Sequence, residues 1–148
     1  MSFAMSRRHV LQAGLALGAS VVAPGVRACE FFASNLRVTH PWTRVTPANA
    51  AFAVVCMKID QVTATDRLIG IETPVATGAQ LGGISTTPGL SLLIERGQDL
   101  ILSEAGLHLR LSGLTQPLLL GRSYPMRLVF EKSGVLHAEL NVDYEAQG

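Results

Sequence analysis

The sequence predicts an all-β protein, a β-sandwich or small barrel, and three observations lead to this fold class. Short apolar runs with period-two alternation recur through the chain after residue 28. Turn residues separate these runs at intervals of about 8–12 residues, as in sandwiches and barrels. No stretch after the N-terminal segment has the apolar period of an amphipathic helix. With 148 residues, 48% hydrophobic and 16% charged, the composition is that of one globular domain.

The first 28 residues are predicted to be an export signal, which leaves residues 29–148 as the β-domain. Arg7 and Arg8 precede a short apolar run over residues 13–26, which is followed by Arg27 and the small residue Ala28. A basic region, an apolar run and a small residue at its end are typical of a cleaved signal peptide, and paired arginines favour the twin-arginine type. The run is short for a membrane span, which needs about 20 residues. We therefore expect a periplasmic domain without a membrane span after cleavage, with an uncleaved anchor or lipidation at Cys29 as alternatives.

The two cysteines of the β-domain are Cys29 and Cys56. An oxidising compartment would allow a disulfide between them, and it is the one intramolecular pairing that two cysteines permit. Two unpaired thiols are the alternative, because spacing along the sequence does not supply the distance that a disulfide needs.

The clearest strands lie in the middle and at the end of the chain. Ala51–Ile59 is a continuous apolar run and predicts a central strand. Met126–Glu131 and Val135–Tyr144 alternate on either side of Ser133-Gly134 and predict an antiparallel hairpin. Val75–Pro88 contains three glycines and is the least strand-like part.

Three weaker patterns complete the set of predicted elements. Asn35–Trp42 alternates with His40 on its apolar face, and Pro41 predicts that this strand lies at an edge. Asp66–Thr73 reads as a strand that Pro74 ends. Glu95–Gln98 predicts a tight hairpin turn between two short strands.

The motifs that carry common enzyme chemistry are missing from the sequence, so we predict that the protein is not an enzyme. There is no G-x-S-x-G, H-E-x-x-H, C-x-x-C, P-loop or dinucleotide-binding fingerprint. No basic cluster occurs beyond the N-terminus, which argues against a nucleic-acid partner. His40 fits a half-buried imidazole and His137 a surface one, whereas Met57 and Met126 alternate with core residues.

Leu107–Leu111 is the stretch that best indicates a site. It alternates Leu-His-Leu-Arg-Leu, so a strand here places His108 and Arg110 together on the face opposite the leucines. A His-x-Met pair in this arrangement would offer an imidazole and a thioether to one soft ion such as Cu(I). Arg110 stands at the second position instead, and a guanidinium cannot coordinate a metal and repels a cation. A surface histidine is the alternative interpretation of His108.

The chain after the signal resembles the periplasmic PCu(A)C copper chaperones over nearly its whole length. The matching landmarks, in order, are Val38 with Trp42-Thr43-Arg44 and Pro47, Asp66-Arg67-Leu68-Ile69-Gly70, Pro74-Val75-Ala76, Gly106-Leu107-His108-Leu109, Leu114-Thr115-Gln116-Pro117-Leu118 with Gly121, Leu128-Val129-Phe130-Glu131, and Gly134-Val135. The resemblance implies a cupredoxin-like Greek-key β-fold. It also implies a copper-binding and copper-delivering activity, with a copper-accepting periplasmic or membrane protein as partner.

The metal site that this resemblance implies is incomplete in the present chain. The family site consists of a His, a Met about ten residues later, and a His-x-Met pair. Gly82 and Leu93 stand at the first two of these positions, and Arg110 stands at the last. His108 is therefore the one predicted metal ligand, Cu(I) is the favoured ion, and a domain without any metal is an equal expectation.

The alternative function is a metal-free periplasmic binding or protein-interaction module on the same scaffold. It predicts an exposed apolar patch around Leu90–Leu93 or Leu118–Leu120.

Overall fold

A computed structural model describes residues 29–83 and 89–146, which form ten β-strands. The strands are β1 (Glu30–Phe32), β2 (Arg37–Arg44), β3 (Phe52–Asp60), β4 (Asp66–Glu72), β5 (Ala76–Gly82), β6 (Leu92–Ile94), β7 (Leu100–Leu102), β8 (His108–Leu114), β9 (Ser123–Phe130) and β10 (Gly134–Tyr144). None of these residues lies in a helix that could cross a membrane. The predicted signal peptide lies outside the described residues.

The strands form one strongly curved sheet in the order β5-β8-β3-β2-β10-β9-β4-β6, with β1 added to β2 and β7 added to β3. All pairings are antiparallel except that of β2 with β10. Contacts between β4 and β5 bring the two ends of the sheet together, so the sheet is nearly closed into a barrel. The predicted all-β barrel is confirmed.

The β9–β10 hairpin is formed as its alternation predicts. Met126, Leu128 and Phe130 point into the barrel and are at most 2% exposed. Opposite them Leu136 and Ala138 are buried. The polar residues of β10 face the solvent, so the hairpin supplies one wall of the apolar core.

The second strand differs from its predicted form at His40. Its backbone has φ of +50°, and the pairing of β2 with β3 skips from Thr39 to Trp42. This β-bulge reverses the alternation, so that Pro41 and Thr43 become buried while His40 is half-exposed and bonds to Asp143 (Nε2–Oδ2 2.8 Å). The prediction of an edge strand was wrong, because the bulge accommodates the proline inside the sheet.

Two further predictions need correction. The least strand-like segment contains β5, because its glycines allow close contact with β8: a Cβ on Gly78 would lie 2.8 Å from the Ser112 hydroxyl. Glu95–Gln98 does form a turn, with Gln98 N donating to Glu95 O. The strands on either side, β6 and β7, pair with β4 and β3 rather than with each other.

Two buried carboxylates make the fold sensitive to acid. The guanidinium of Arg37 donates two hydrogen bonds to Asp60 (2.8 and 2.7 Å) and, against the effect of burial, lowers the pKa of that carboxyl. Burial alone would raise the pKa of Asp66, but backbone N–H groups of Lys132, Arg67 and Ser133 outweigh it, and the pKa is lowered.

We therefore expect the free energy of unfolding to decrease as the pH falls below about 4. A carboxyl with a lowered pKa in the folded state stabilises it above the unfolded pKa, about 3.9 for Asp. This contribution is lost as the pH falls through the folded-state value. Urea titrations between pH 7 and pH 2 measure it, and Asp60→Asn should reduce the slope. An equal acid slope in that variant would contradict the assignment.

The two cysteines are both free thiols. Cys29 lies opposite His40 on one edge of β2, and Cys56 lies opposite Trp42 on the other edge. Two strand spacings amount to about 10 Å, which is more than the roughly 7 Å between Cα atoms that a disulfide can span. The fold therefore keeps these cysteines unpaired.

Thiol labelling is expected to separate the two cysteines. Burial, followed by the nearby carboxylate of Glu104, raises the pKa of Cys56 to about 11. Since the thiolate is the reactive form, Cys56 should resist alkylation at pH 8 in the folded protein and react after unfolding. Mass spectrometry of iodoacetamide-treated protein, with Cys29→Ser as the single-thiol variant, measures this. Rapid labelling of Cys56 in the folded state would contradict its burial.

Candidate functional site

The β5–β8 pair assembles the candidate site. Gly82 lies directly opposite His108. On β8, Leu109 and Leu111 are fully buried in the core, and His108 and Arg110 share the other face, as the alternation predicts. The histidine is nevertheless only 6% exposed, so the interpretation as a surface imidazole was wrong.

Both ring nitrogens of His108 have partners. Nδ1 lies 2.9 Å from the carbonyl oxygen of Gly106, and Arg110 Nε donates to Nε2 over 3.3 Å. A guanidinium can only donate, so Nε2 must be the acceptor, and Nδ1 carries the proton that is donated to Gly106. In this arrangement the imidazole carries one proton, on Nδ1. The lone pair of Nε2 accepts the hydrogen bond from Arg110 Nε.

Arg110 is held on a second side by an aromatic ring. Its Cζ lies 4.3 Å from the ring centroid of Phe52 on β3, a distance at which cation–π attraction is favourable. The residues across the sheet from Arg110 are Val54 and Gln80, neither of which is charged. The cation is thus positioned by the Phe52 ring and by the imidazole.

Gly82 supplies the space that this arrangement needs. A Cβ at this position would lie 2.5 Å from Arg110 Nε and 2.6 Å from His108 Nε2. Any side chain here, including the imidazole of the family pattern, would displace the arginine or the histidine. The side chain of Arg110 can therefore lie beside His108 in this way only because residue 82 is a glycine.

The other predicted site position and the remaining donors lie elsewhere. Leu93 is on β6 opposite Arg67 and is 42% exposed. Met57 and Met126 are core residues, as predicted. His137 is exposed on β10, also as predicted. Within residues 29–83 and 89–146, no three His, Cys, Asp or Glu side chains converge as a metal site would require. The donors present do not fit a two-His, two-Met copper site.

The predicted apolar patches are only partly exposed. Leu92 and Leu118 are buried, whereas Leu119 and Leu120 are 46% and 49% exposed. The loop that carries them is tied to the barrel, because Leu118 N donates to Thr46 Oγ1. Of the patch predicted at Leu118–Leu120, only Leu119 and Leu120 are exposed.

Sequence reasoning missed two residues of the site, Phe52 and Gly106. Phe52 reaches Arg110 from a neighbouring strand, and only the pairing of β3 with β8 reveals this. Gly106 contributes its carbonyl oxygen, for which no side chain gives a signal, although the turn before His108 is visible in the sequence as Glu104-Ala105-Gly106.

Replacing Gly82 by alanine is expected to lower the free energy of unfolding by about 2 kcal/mol, the usual size of an overpacking effect. The added Cβ would overlap both His108 and Arg110. Gly70→Ala on β4 is the matched control, because a Cβ there meets nothing closer than 3.7 Å. Urea denaturation measures both variants, and equal stabilities would show that the site is not tightly packed.

The comparisons with known proteins agree with this fold. A family model described as "Putative lipoprotein LpqE-like" matches residues 36–142. The copper-bound PCuAC domain from PmoF2 superposes with a TM-score of 0.69 at 22% identity, over 78% of this chain and 97% of that chain. The apo PCuAC domain from PmoF1 gives 0.70 at 24% identity, over 78% and 98%.

A third solved structure, that of the Cu(I) form of DR1885 from Deinococcus radiodurans, gives a TM-score of 0.60 at 21% identity, over 82% of this chain and 85% of that chain. No curated protein matches the chain. The structural matches establish the PCuAC fold, and the family model extends over well more than half of the sequence. The chain belongs to the LpqE-like family and has the PCuAC fold, as its resemblance to that group predicts.

Proposed function

We propose that this chain is an exported protein of the copper-chaperone fold that works without copper, as a binding module in which Arg110 has replaced the metal. The observation that carries the proposal is the hydrogen bond from Arg110 Nε to His108 Nε2. It occupies the nitrogen that would coordinate the ion. The missing donors at Gly82 and Leu93 support the same conclusion.

The positive charge of Arg110 opposes the binding of a metal cation at His108. A second cation about 4 Å from a guanidinium is repelled by about 4 kcal/mol at an effective dielectric constant near 20. The acidic residue closest in sequence to Arg110 is Glu104, and its carboxylate is already paired with Arg44 (2.6 Å). A copper ion at His108 would have to displace the guanidinium first.

Copper delivery with His108 as ligand is the second candidate function, and one contact favours it. The Gly106 carbonyl holds the Nδ1 side of His108, as backbone carbonyls commonly do for metal-ligating histidines. If Arg110 moved away, Nε2 would be available to Cu(I) from a donor, and the cargo would pass to a copper-accepting periplasmic or membrane protein. Neither candidate function requires an enzymatic reaction.

The proposed location is the periplasm. The twin-arginine-like segment before residue 29 and the lipoprotein description of the family model support export. Cys29 then lies either at the N-terminus of a cleaved product or at a lipid attachment point, directly before β1. Mass spectrometry of the N-terminal peptide from membrane and soluble fractions distinguishes the two.

The two candidate functions differ in metal content. Protein expressed with its own signal and recovered from the periplasm of copper-supplemented cells should contain far less than one copper per chain, and His108→Ala should not change that value. Elemental analysis of freshly purified protein measures it. One equivalent of copper that disappears in the His108→Ala variant would establish the copper-delivery function instead.

A further inference from the structure

We infer that Arg110 is the anchor of a carboxylate-binding site on the outer face of β8. This inference deepens the proposed metal-free binding function and depends on it. The ligand is a monocarboxylate, either a free small acid or a carboxyl group of a protein partner. Three features of the site lead to this ligand class.

The first feature is a cation without an acidic partner. Arg37, Arg44 and Arg127 form ion pairs with Asp60, Glu104 and Glu72, whereas Arg110, like Arg67, Arg96 and Arg122, forms none among the described residues. Among the described residues, no carboxylate lies within ion-pair distance of Arg110. Its cross-strand neighbours Val54 and Gln80 are uncharged.

The second feature is the fixed position of the guanidinium. The Phe52 ring centroid lies 4.3 Å from Cζ, and His108 accepts the hydrogen bond from Nε. Because these contacts already restrict the side chain, a ligand would immobilise few further rotamers on binding, and this lowers the cost of association. The two terminal nitrogens, Nη1 and Nη2, make no hydrogen bond to another described residue.

The third feature is geometric. Two parallel N–H groups of a guanidinium match the two oxygens of a carboxylate in one plane. With the Phe52 ring beside Cζ and Nε bonded to His108, the terminal nitrogens Nη1 and Nη2 are the donors left for a ligand. With neutral His108 beside it, the site offers a single positive charge, which fits a monoanion better than a doubly charged phosphate.

An NMR titration with acetate tests the proposal on the exported protein. The Nε–H resonance of Arg110 and the ring resonances of His108 should shift and saturate with acetate, and not with chloride at the same ionic strength. Arg110→Met should abolish the response, and Arg110→Lys should weaken it about tenfold, since Lys keeps the charge but loses the planar pair of donors. Arg127→Met, which removes an exposed arginine, should leave it unchanged.

Two peptides separate the possible sources of the carboxylate. The first peptide has uncharged side chains and a free C-terminal carboxylate, and the second is its amidated form. If the first binds more tightly than acetate and the amidated form does not, the ligand is a protein C-terminus. If the first binds only as tightly as acetate, the ligand is a free acid. Both outcomes support the site. An acetate response that chloride reproduces, or that persists in Arg110→Met, overturns it. Cu(I) titration of the same sample distinguishes failure of the carboxylate site from failure of the metal-free function, because copper binding at His108 would overturn the latter.

Discussion

Replacing Arg110 by methionine is expected to raise the affinity for Cu(I) more than about a thousand-fold, since removal of a repulsion of about 4 kcal/mol alone corresponds to roughly three factors of ten. The substitution also frees His108 Nε2 and places a thioether two residues away on the same face. Gly82 leaves space for the new side chain. Competition with a chromogenic Cu(I) chelator measures the affinity.

Two control variants separate charge from coordination in this experiment. Arg110→Leu removes the charge without adding a donor and should give a smaller gain than methionine. Arg127→Met places a methionine at an exposed position, where the arginine pairs with Glu72, and should give no gain in Cu(I) affinity. If Arg110→Met bound Cu(I) no more tightly than the unaltered protein, the guanidinium would not be what excludes copper.

Replacing Asp66 by alanine is expected to lower the free energy of unfolding by about 3 kcal/mol, because buried backbone donors lose a charged acceptor. The side chain is 1% exposed, and its oxygens accept from the N–H groups of Arg67 (2.8 Å), Lys132 (2.7 Å) and Ser133 (2.9 Å). It thereby fixes the β9–β10 turn to the start of β4.

Urea denaturation at pH 7 measures this effect. Asp143→Ala is the matched control, since that carboxylate is 35% exposed and pairs with half-exposed His40, and it should cost less than about 1 kcal/mol. Asp66→Asn should lie between the two, because an amide keeps one acceptor oxygen. A loss in Asp66→Ala no larger than that in Asp143→Ala would contradict the role of Asp66 in holding the turn.

The fold could be predicted from the sequence where alternation alone decides the strand. Met126–Phe130 and the strand that follows Gly134 show one apolar and one polar face, and the structure buries them accordingly. The bulge at His40 could not be predicted, since it adds one residue to a strand whose side-chain pattern looks continuous. The strand over Ala76–Gly82 was missed because its glycines indicate a loop until close contact with β8 is known.

The sequence predicts several residues of the candidate site but not their burial or their hydrogen bonds. Alternation placed His108 and Arg110 on one face, and the resemblance pointed to Gly82. That the imidazole is buried, and that its coordinating nitrogen accepts a hydrogen bond from Arg110, depends on which strands lie beside β8. Phe52 joins the site for the same reason, through a pairing that no local pattern encodes.

The ring nitrogens of His108 report directly on the hydrogen bond from Arg110 Nε to His108 Nε2. Long-range ¹H–¹⁵N spectra of the protein at pH 7 should show His108 with its proton on Nδ1 and an unprotonated Nε2. One equivalent of Cu(I) under reducing conditions should leave the Nε2 resonance in place. A shift of that resonance on addition of Cu(I), absent when an excess of chelator is present, would show that the imidazole is free to bind copper and would contradict the account.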